Sequence, residues 1–435
     1  MLRSLGYFIS DVAQWIRSRL RMPPRPGKRF GLGAAALAGA TAVGVGAYFA
    51  VDAITDEPEA EPPAAAPAAV VTRVEASDDD AEPEDLGFPA FATQNTTRVS
   101  GADPVADAAA VALATFPSTG GVEGPAAVAL VDVSEWPAAI AASVLMAPPV
   151  RSPMLFTDGG EVPELTASAL ATLAPDGGAE TGGRQAFRIG AAADPGLVRT
   201  REVEGEDAAT IAAAIDELRQ DLTGSEPEHI VVASADEPAY AMPAAGWAAL
   251  RGDPVLYAER DSVPEATLEA LKRHEDTPAY VLGPREVISD KALRQIDRAS
   301  NGARRVGGED PVENAIAFAR FSDGSFGWNI NDPGHGLVLA AADRPADAGA
   351  AAPLSTSGTF GPLLLTDDAA TLPPALRGYL LDLKPGYESD PTRAVYNHVW
   401  LMGDSRAVSV EVQAQVDELS ALVQIGSGAG DEDDG

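Results

Sequence analysis

The chain reads as an α/β protein built from three tandem parallel-sheet repeats and preceded by a transmembrane helix. Three observations predict this. A short opening motif recurs three times at near-constant spacing. Each copy is followed by the same alternation of continuously apolar strands and small-residue or amphipathic helices. Ahead of all of them lies Gly31–Val51, a run of 21 residues without a charged side chain. The 435 residues, 46% of them hydrophobic, suffice for about three domains of roughly 150 residues with real cores.

Composition removes several function classes first. With 65 acidic against 31 basic residues the formal charge is −34, which argues against nucleic acid as a partner, because a polyphosphate has to be neutralised by cations. The absence of cysteine removes disulfides, thiol nucleophiles, iron–sulfur clusters and Cys-type zinc sites, and four scattered histidines are a poor basis for a metal site. The charge is segregated: residues 1–29 carry a net +6, so the rest of the chain carries −40. Lysine is confined to Lys28, Lys272, Lys291 and Lys384, a composition that suits a strongly hydrated, salt-exposed surface.

Taken in order, residues 1–30 form a basic cytoplasmic segment in which Leu5, Phe8, Ile9, Val12, Trp15 and Ile16 share one helical face, as expected of an amphipathic helix on the inner leaflet. At 1.5 Å per residue, residues 31–51 are long enough to cross the roughly 30 Å hydrocarbon core. Cations before the run and acids after it (Asp52, Asp56, Glu57) put the N-terminus in the cytoplasm and everything beyond residue 52 outside. A cleavable signal peptide is the rival reading, although its apolar core is usually shorter. Gly31-Leu-Gly33-Ala-Ala-Ala36 mimics a dinucleotide fingerprint, but no strand precedes it. Residues 52–95, rich in Pro, Ala and acid, cannot bury a core and read as an extended stalk; the acidic tail 427–435 reads likewise.

The repeats follow. Arg98-Val-Ser-Gly101-Ala-Asp103 is answered by Arg201-Glu-Val-Glu-Gly205-Glu-Asp207 and by Arg304-Arg-Val-Gly-Gly308-Glu-Asp310, each leading into an alanine-rich helix. The aspartates fall 104 and 103 residues apart, which sets repeats at 96–199, 200–302 and 303–426. Within each repeat a first apolar strand (127–131, 230–233, 337–340) precedes a small-residue helix. A proline-led strand comes next (153–157, 254–257, 362–366), then an amphipathic helix, then a third strand ending in Gly190, Gly283 or Gly403. Strands that are apolar throughout, alternating with helices, describe a parallel sheet covered on both faces, of the Rossmann or flavodoxin-like kind.

This order of opening motif, small-residue helix, Pro362-Leu-Leu-Leu-Thr366 strand and glycine-ended strand resembles the cell-wall-binding repeat of type 2 found in exported proteins of Gram-positive bacteria. The resemblance covers residues 97 to about 425. It implies three units packed with approximate threefold symmetry that hold anionic wall polymers non-covalently. The chain departs from the pattern where the family's Arg-Tyr becomes Pro104-Val105, Ala208-Ala209 and Pro311-Val312, and only the third copy keeps Asp347-Ala348.

Each recurrent residue has a structural and a functional reading. Asp103, Asp207 and Asp310 read as helix N-caps, Asp310 with Glu313 as a capping box, rather than as ligand contacts. Gly101, Gly205 and Gly308 read as the residues that permit the turn entering the helix. Arg98, Arg201 and Arg304 either grip an anionic ligand or pair with acids at a joint between repeats. Arg285 and Arg406 follow the glycine-ended strands, and loops at the carboxyl ends of parallel strands are where such sheets take ligands. Tyr387 and Tyr396, around the insertion 382–393, offer either a sugar-stacking surface or an ordinary loop.

Catalysis finds no motif: Gly324-Ser-Phe-Gly327 is not a nucleophile elbow, and His335 beside Asp332 has no evident serine. The expectation is therefore a non-catalytic, membrane-anchored extracytoplasmic protein that binds a wall polymer or glycan without a cofactor. Because a body at −40 repels a polyanion, binding would draw on divalent cations such as calcium, on a local arginine cluster, or on a neutral glycan. A small-molecule sensor and a protein-interaction scaffold are the alternatives.

Overall fold

The structure, a computed structural model, describes residues 91–425 except 100, 117–123, 197, 357 and 359. The expected cytoplasmic segment 1–30, transmembrane helix 31–51, most of the stalk and the tail 427–435 lie outside the described residues. Among the described residues no helix is long and apolar enough to cross a membrane.

In chain order the first opening motif forms strands β1 (Phe91–Ala92) and β2 (Thr96–Val99) and helix α1 (Pro104–Thr115). The first repeat continues with β3 (Val128–Asp132), α2 (Trp136–Ala142), β4 (Met154–Thr157), α3 (Glu164–Leu173) and β5 (Ala186–Ile189). The second opening motif forms β6 (Thr200–Val203) and α4 (Ala208–Thr223). Then come β7 (Ile230–Ser234), α5 (Pro238–Ala241), α6 (Ala244–Arg251), β8 (Val255–Ala258), α7 (Glu265–Arg273), β9 (Ala279–Leu282) and α8 (Asp290–Ala299). The third opening motif forms β10 (Ala303–Val306) and α9 (Pro311–Arg320), followed by β11 (Gly336–Ala341), α10 (Ala346–Ala351), β12 (Leu363–Thr366) and α11 (Pro374–Asp382). The chain closes with β13 (Gly386–Tyr387), β14 (His398–Met402), α12 (Val410–Ser420) and β15 (Val423–Gln424). The nine apolar strands expected from the sequence are present, within about a residue of their expected bounds.

The three main sheets share one order: β4-β3-β5-β6, β8-β7-β9-β10 and β12-β11-β14-β2, with β1 added antiparallel at the outer edge of the last. Every other pairing in them is parallel. The fourth strand of each sheet is not its own. Unit 1 takes β6 from the second opening motif, unit 2 takes β10 from the third, and unit 3 takes β2 from the first, where Leu401 stands opposite Arg98. The structural units are thus offset by one strand from the sequence repeats 96–199, 200–302 and 303–426, and the first opening motif closes a ring. These fourth strands carry too many polar side chains to announce themselves in the sequence. Residues 91–95, expected in the stalk, belong to this closure: Asn95 is buried, and its backbone N–H donates to Asp417 Oδ1 at 2.7 Å.

The helix of each opening motif lies across the same joint. Helix α1 packs on β4 and α3 of its own unit and on α10 of unit 3; α4 packs on β8 and α7 and on α2; α9 packs on β12 and α11 and on α5. The small-residue helices α2, α6 and α10, with the short 3-10 turns 143–146 and 352–356, pack on one another between the sheets. Alanine and glycine let these backbones approach closely. A Cβ on Gly349 would stand 2.7 Å from the carbonyl oxygen of Ala139 in the neighbouring unit, so only glycine fits there.

Asp103, Asp207 and Asp310 cap α1, α4 and α9, accepting from the backbone N–H of Ala106, Thr210 and Glu313 at 2.9, 2.8 and 2.8 Å. The reciprocal capping box forms at Asp207 with Thr210, whereas Glu313 turns toward the N–H of Glu309 at 3.4 Å. Gly101, Gly205 and Gly308 owe their place to crowding rather than to an unusual backbone. A Cβ at any of the three would lie 2.3–2.5 Å from the first turn of the helix that follows. The glycines that do need a left-handed backbone end the third strands: Gly190, Gly283 and Gly403, at φ 59°, 110° and 78°.

Candidate functional site

The carboxyl ends of β11, β12 and β14 open into a cleft lined by Arg344, Thr366, Asp367, Asp368, Asp404 and Arg406, with Ala102 of the first opening motif forming one wall. Loops after β11 and β14 leave toward opposite sides of the sheet, which opens a crevice between them. A related cleft in unit 1 lies between Glu135 and Ala138 on one side and the Gly205–Ala208 turn with Ile211 on the other.

Arg406, with 71% of its side chain exposed, is held at the rim: its Nε and Nη2 meet Asp404 Oδ2 at 2.8 and 2.7 Å, and Nη2 also donates to the carbonyl of Ala102 at 2.8 Å. Partial burial would raise the Asp404 carboxyl, but the hydrogen bonds from Arg406 outweigh it and hold the group below its usual range. Arg285, equally exposed, stands 4.0 Å from Asp290 at the corresponding end of unit 2. The two loop arginines are thus solvent-facing and in different units.

The arginines of the opening motifs divide. Arg98 is buried, and its five N–H groups are all engaged: Gly403 O (2.9 Å), Asp404 O (2.8 Å), Val408 O (2.7 Å) and, twice, Gln413 Oε1 (3.1 and 2.9 Å). Burial lowers its pKa while the charges of Asp404 and Asp107 oppose that shift. Arg201, partly exposed, and Arg304, exposed, reach Asp221 at 2.7 Å and Asp323 at 2.8 Å. These three are not the same position. Val99, Val203 and Val306 stand opposite the last residue of β14, β5 and β9, so Arg98 corresponds to Glu202 and Arg305. Arg305 behaves accordingly, donating to Gly283 O at 2.8 Å as Arg98 does to Gly403 O; Glu202 pairs instead with Arg188.

Sequence reasoning missed the charged heart of the ring closure. Asp107 on α1 is fully buried, and its Oδ2 lies 2.5 Å from Arg344 Nη2. The Nε of Arg344 lies 2.7 Å from Oδ2 of Asp347, which is also buried. Burial pushes both carboxyls up, against the pull of Arg344: Asp107 to about 8, with the charge of Asp347 adding to the rise, and Asp347 to about 6. The signal was present: four residues past the capping aspartates stand Asp107, Ile211 and Asn314, and only the first is charged. At the other two joints Ile211 meets Ala138 at one cleft, and Asn314 Nδ2 donates to Tyr240 O at 3.2 Å.

The imidazoles serve other partners than serine hydroxyls. His229 lies 3.2 Å from Asp253, His274 bridges Asp216 and Glu226 at 2.8 and 2.5 Å, and His398 meets Thr97 Oγ1 at 3.0 Å. Among the described residues no group of three or more His, Cys, Asp or Glu is placed to hold a metal ion. Tyr396 is half exposed with its hydroxyl on Pro391 O at 2.9 Å, while Tyr387 is partly buried in the small β13–β15 sheet.

Known proteins share this fold. No curated protein matches the chain. Among solved structures the chain resembles Cwp6 from Clostridium difficile, with a TM-score of 0.57 and 18% identity over 75% of this chain and 48% of that one. It also resembles Cwp8 from Clostridium difficile, with a TM-score of 0.56 and 17% identity over 75% and 52%. The chain spans about half the length of these two, and at such identities the likeness is one of fold. Residues 305–413, most of the third sequence repeat, match the family model of cell wall binding domain 2. The family resemblance read from the sequence is therefore shown over the third copy, where residues 305–413 are similar to cell wall binding domain 2.

Proposed function

We propose that the chain is a non-catalytic extracytoplasmic protein that holds a cell-wall polymer or glycan non-covalently, anchored to the membrane through residues 31–51 with its N-terminus in the cytoplasm. One observation carries the reading: the match of residues 305–413 to cell wall binding domain 2, on a fold shared with Cwp6 and Cwp8. The cleft at the carboxyl ends of the unit 3 strands is the proposed seat, with Arg406 as the first contact and Arg285 as its counterpart in unit 2.

The charge balance narrows the ligand. Asp343, Asp367, Asp368 and Asp404 share the cleft with Arg344 and Arg406, so a dense polyanion meets more repulsion than attraction there. A hydroxyl-rich neutral segment suits it better, since carboxylates accept from sugar hydroxyls while Arg406 donates. A divalent cation such as calcium would then have to be shared between these carboxylates and the polymer itself.

Retention of the purified protein on wall sacculi, with and without calcium, tests the reading. Sedimentation with sacculi supports it. A protein that stays in the supernatant under both conditions refutes it and leaves the small-molecule sensor or the scaffold. Release by carbonate or salt wash of membranes, rather than by detergent alone, would refute the anchor.

A further inference from the structure

We propose that the joint between the first opening motif and unit 3 is a proton-held latch, in which Asp107 of α1 and Asp347 of α10 are buried against a single arginine, Arg344, and dock only while the pair retains a proton. The geometry requires it. Arg344 offers one positive charge to two carboxylates, both removed from water, at 2.5 and 2.7 Å. Two ionised carboxylates in such a site have one directly bonded cation between them in a low-dielectric interior, which is strongly unfavourable.

The surrounding charges do not supply the missing cation. On the adjoining strand β2, Arg98 directs all five N–H groups to carbonyls and to Gln413, although its charge reaches Asp107. Asp103 at the start of α1 and Asp343 before α10 add negative charge around the pair. In the loop after β14, Asp404 is already matched by Arg406. The other elements packed on α1, strand β4 and helix α3, bring only Glu164, which is exposed. The upward shifts of both aspartates agree with a proton retained on the pair.

At the corresponding places the other two joints present Ala138 with Ile211 and Tyr240 with Asn314, none of which is a carboxylate. Only the closing joint therefore responds to pH in this way. When α1 leaves, both aspartates become solvated and the proton departs, so rising pH drives opening and falling pH drives closure. Ala102, between β2 and α1, is a wall of the cleft, and Arg406 holds its carbonyl, so an open latch dismantles the cleft. This last consequence rests on the wall-binding reading; the latch does not.

Hydrogen exchange on the full chain, corrected for the intrinsic rate at pH 5.5 and pH 8.5, reads the latch directly. Protection of Thr97–Val99 and α1 is expected to fall about tenfold or more at the higher pH, the factor that one unit of linked pKa shift gives, while β6 and β10 change less and only as far as His274 of unit 2 loses its own proton. In Asp107→Asn the two pH values should give equal protection in β2. An equal pH response at all three joints in the unaltered protein overturns the proposal, as does a pH response that persists in Asp107→Asn. Should that variant not fold, the comparison of joints in the unaltered chain still decides. Retention on sacculi at the same two pH values is a separate arm: none at either pH removes the wall-binding reading and not the latch, while equal retention beside a pH-dependent β2 removes the coupling to the cleft.

Discussion

Arg98 and Gln413, 315 positions apart in the chain, are joined by two hydrogen bonds from the guanidinium Nε and Nη2 to one amide oxygen, at 3.1 and 2.9 Å. Gln413 Nε2 in turn donates to Thr96 Oγ1 at 2.9 Å, so strand β2 is sewn to helix α12 at two nearby residues. The contact reinforces the β2–β14 pairing that turns three successive α/β units into a closed ring. Thr93 and Asn95 add a second seam by bonding Asp417, one helical turn further along α12.

Removing Arg98 should therefore cost far more than removing its apparent counterparts. Arg98→Ala takes the donor from the two buried carbonyls of Gly403 and Val408 and from the buried amide oxygen of Gln413, a loss of about 3 kcal/mol or more. Arg201→Ala removes an exposed pair and should shift stability by no more than about 0.5 kcal/mol. Urea titration of the two variants decides between them; equal losses would mean that the two arginines do occupy equivalent positions.

How much of the fold is legible in the sequence depends on the kind of residue. Leu363–Thr366 and Ile230–Ser234 announce themselves because a fully covered parallel strand is apolar on both faces. The strands of the opening motifs do not: Thr200–Val203 and Ala303–Val306 lie at sheet edges, and their mixed Arg, Glu and Thr side chains look like loop. Aligning arginine with arginine sets Arg98 against Arg201 and Arg304, one residue out of register, and in a strand one residue is the opposite face. The closure itself has no local trace, since the partner of an edge strand is chosen by the neighbouring unit. The proposed loop contacts Arg285 and Arg406 need only the glycine ends of β9 and β14, which are plain in the sequence.

The packed centre makes an opposite pair of glycine predictions. In Gly349→Val the new Cβ would stand 2.7 Å from Ala139 O and 2.8 Å from Met154 Sδ, and overpacking of this kind costs about 1–3 kcal/mol. Gly378, within α11, has nothing within 4 Å of an added methyl, so Gly378→Ala should stabilise by about 0.4–1 kcal/mol. Thermal unfolding should move the two midpoints in opposite directions, and a Gly349→Val protein as stable as the parent would contradict the close helix contact.

His274 gives unit 2 its own pH dependence. Burial would lower its pKa, but hydrogen bonds and charge from Asp216 and Glu226 reverse this and raise it. The folded state therefore holds a proton that the unfolded chain releases near pH 6.5, and the stabilisation is complete below that pH and lost as pH rises through the higher folded value. His274→Gln should flatten the fall of the unfolding midpoint above about pH 6.5 while leaving the exchange behaviour of β2 as it was. An unchanged midpoint profile in that variant would show that the imidazole is not charged in the fold.

The cleft makes the last prediction, and salt discriminates its chemistry. Arg406 is exposed and bonds only Asp404 and Ala102 O, so Arg406→Ala should fold normally and lower retention on sacculi about tenfold, the loss expected of one charge-assisted hydrogen bond. If the guanidinium meets sugar hydroxyls, retention of the parent should change little as salt rises, because such bonds are local and are only weakly screened. If it grips anionic groups, retention should fall steeply once the Debye length drops below the spacing of the cleft, roughly 8 Å at physiological ionic strength. The four aspartates around Arg344 and Arg406 favour the first outcome, since they would meet any anion before the arginines could compensate. An Arg406→Ala protein that is retained as well as the parent at every salt concentration would remove the cleft of unit 3 from the binding surface.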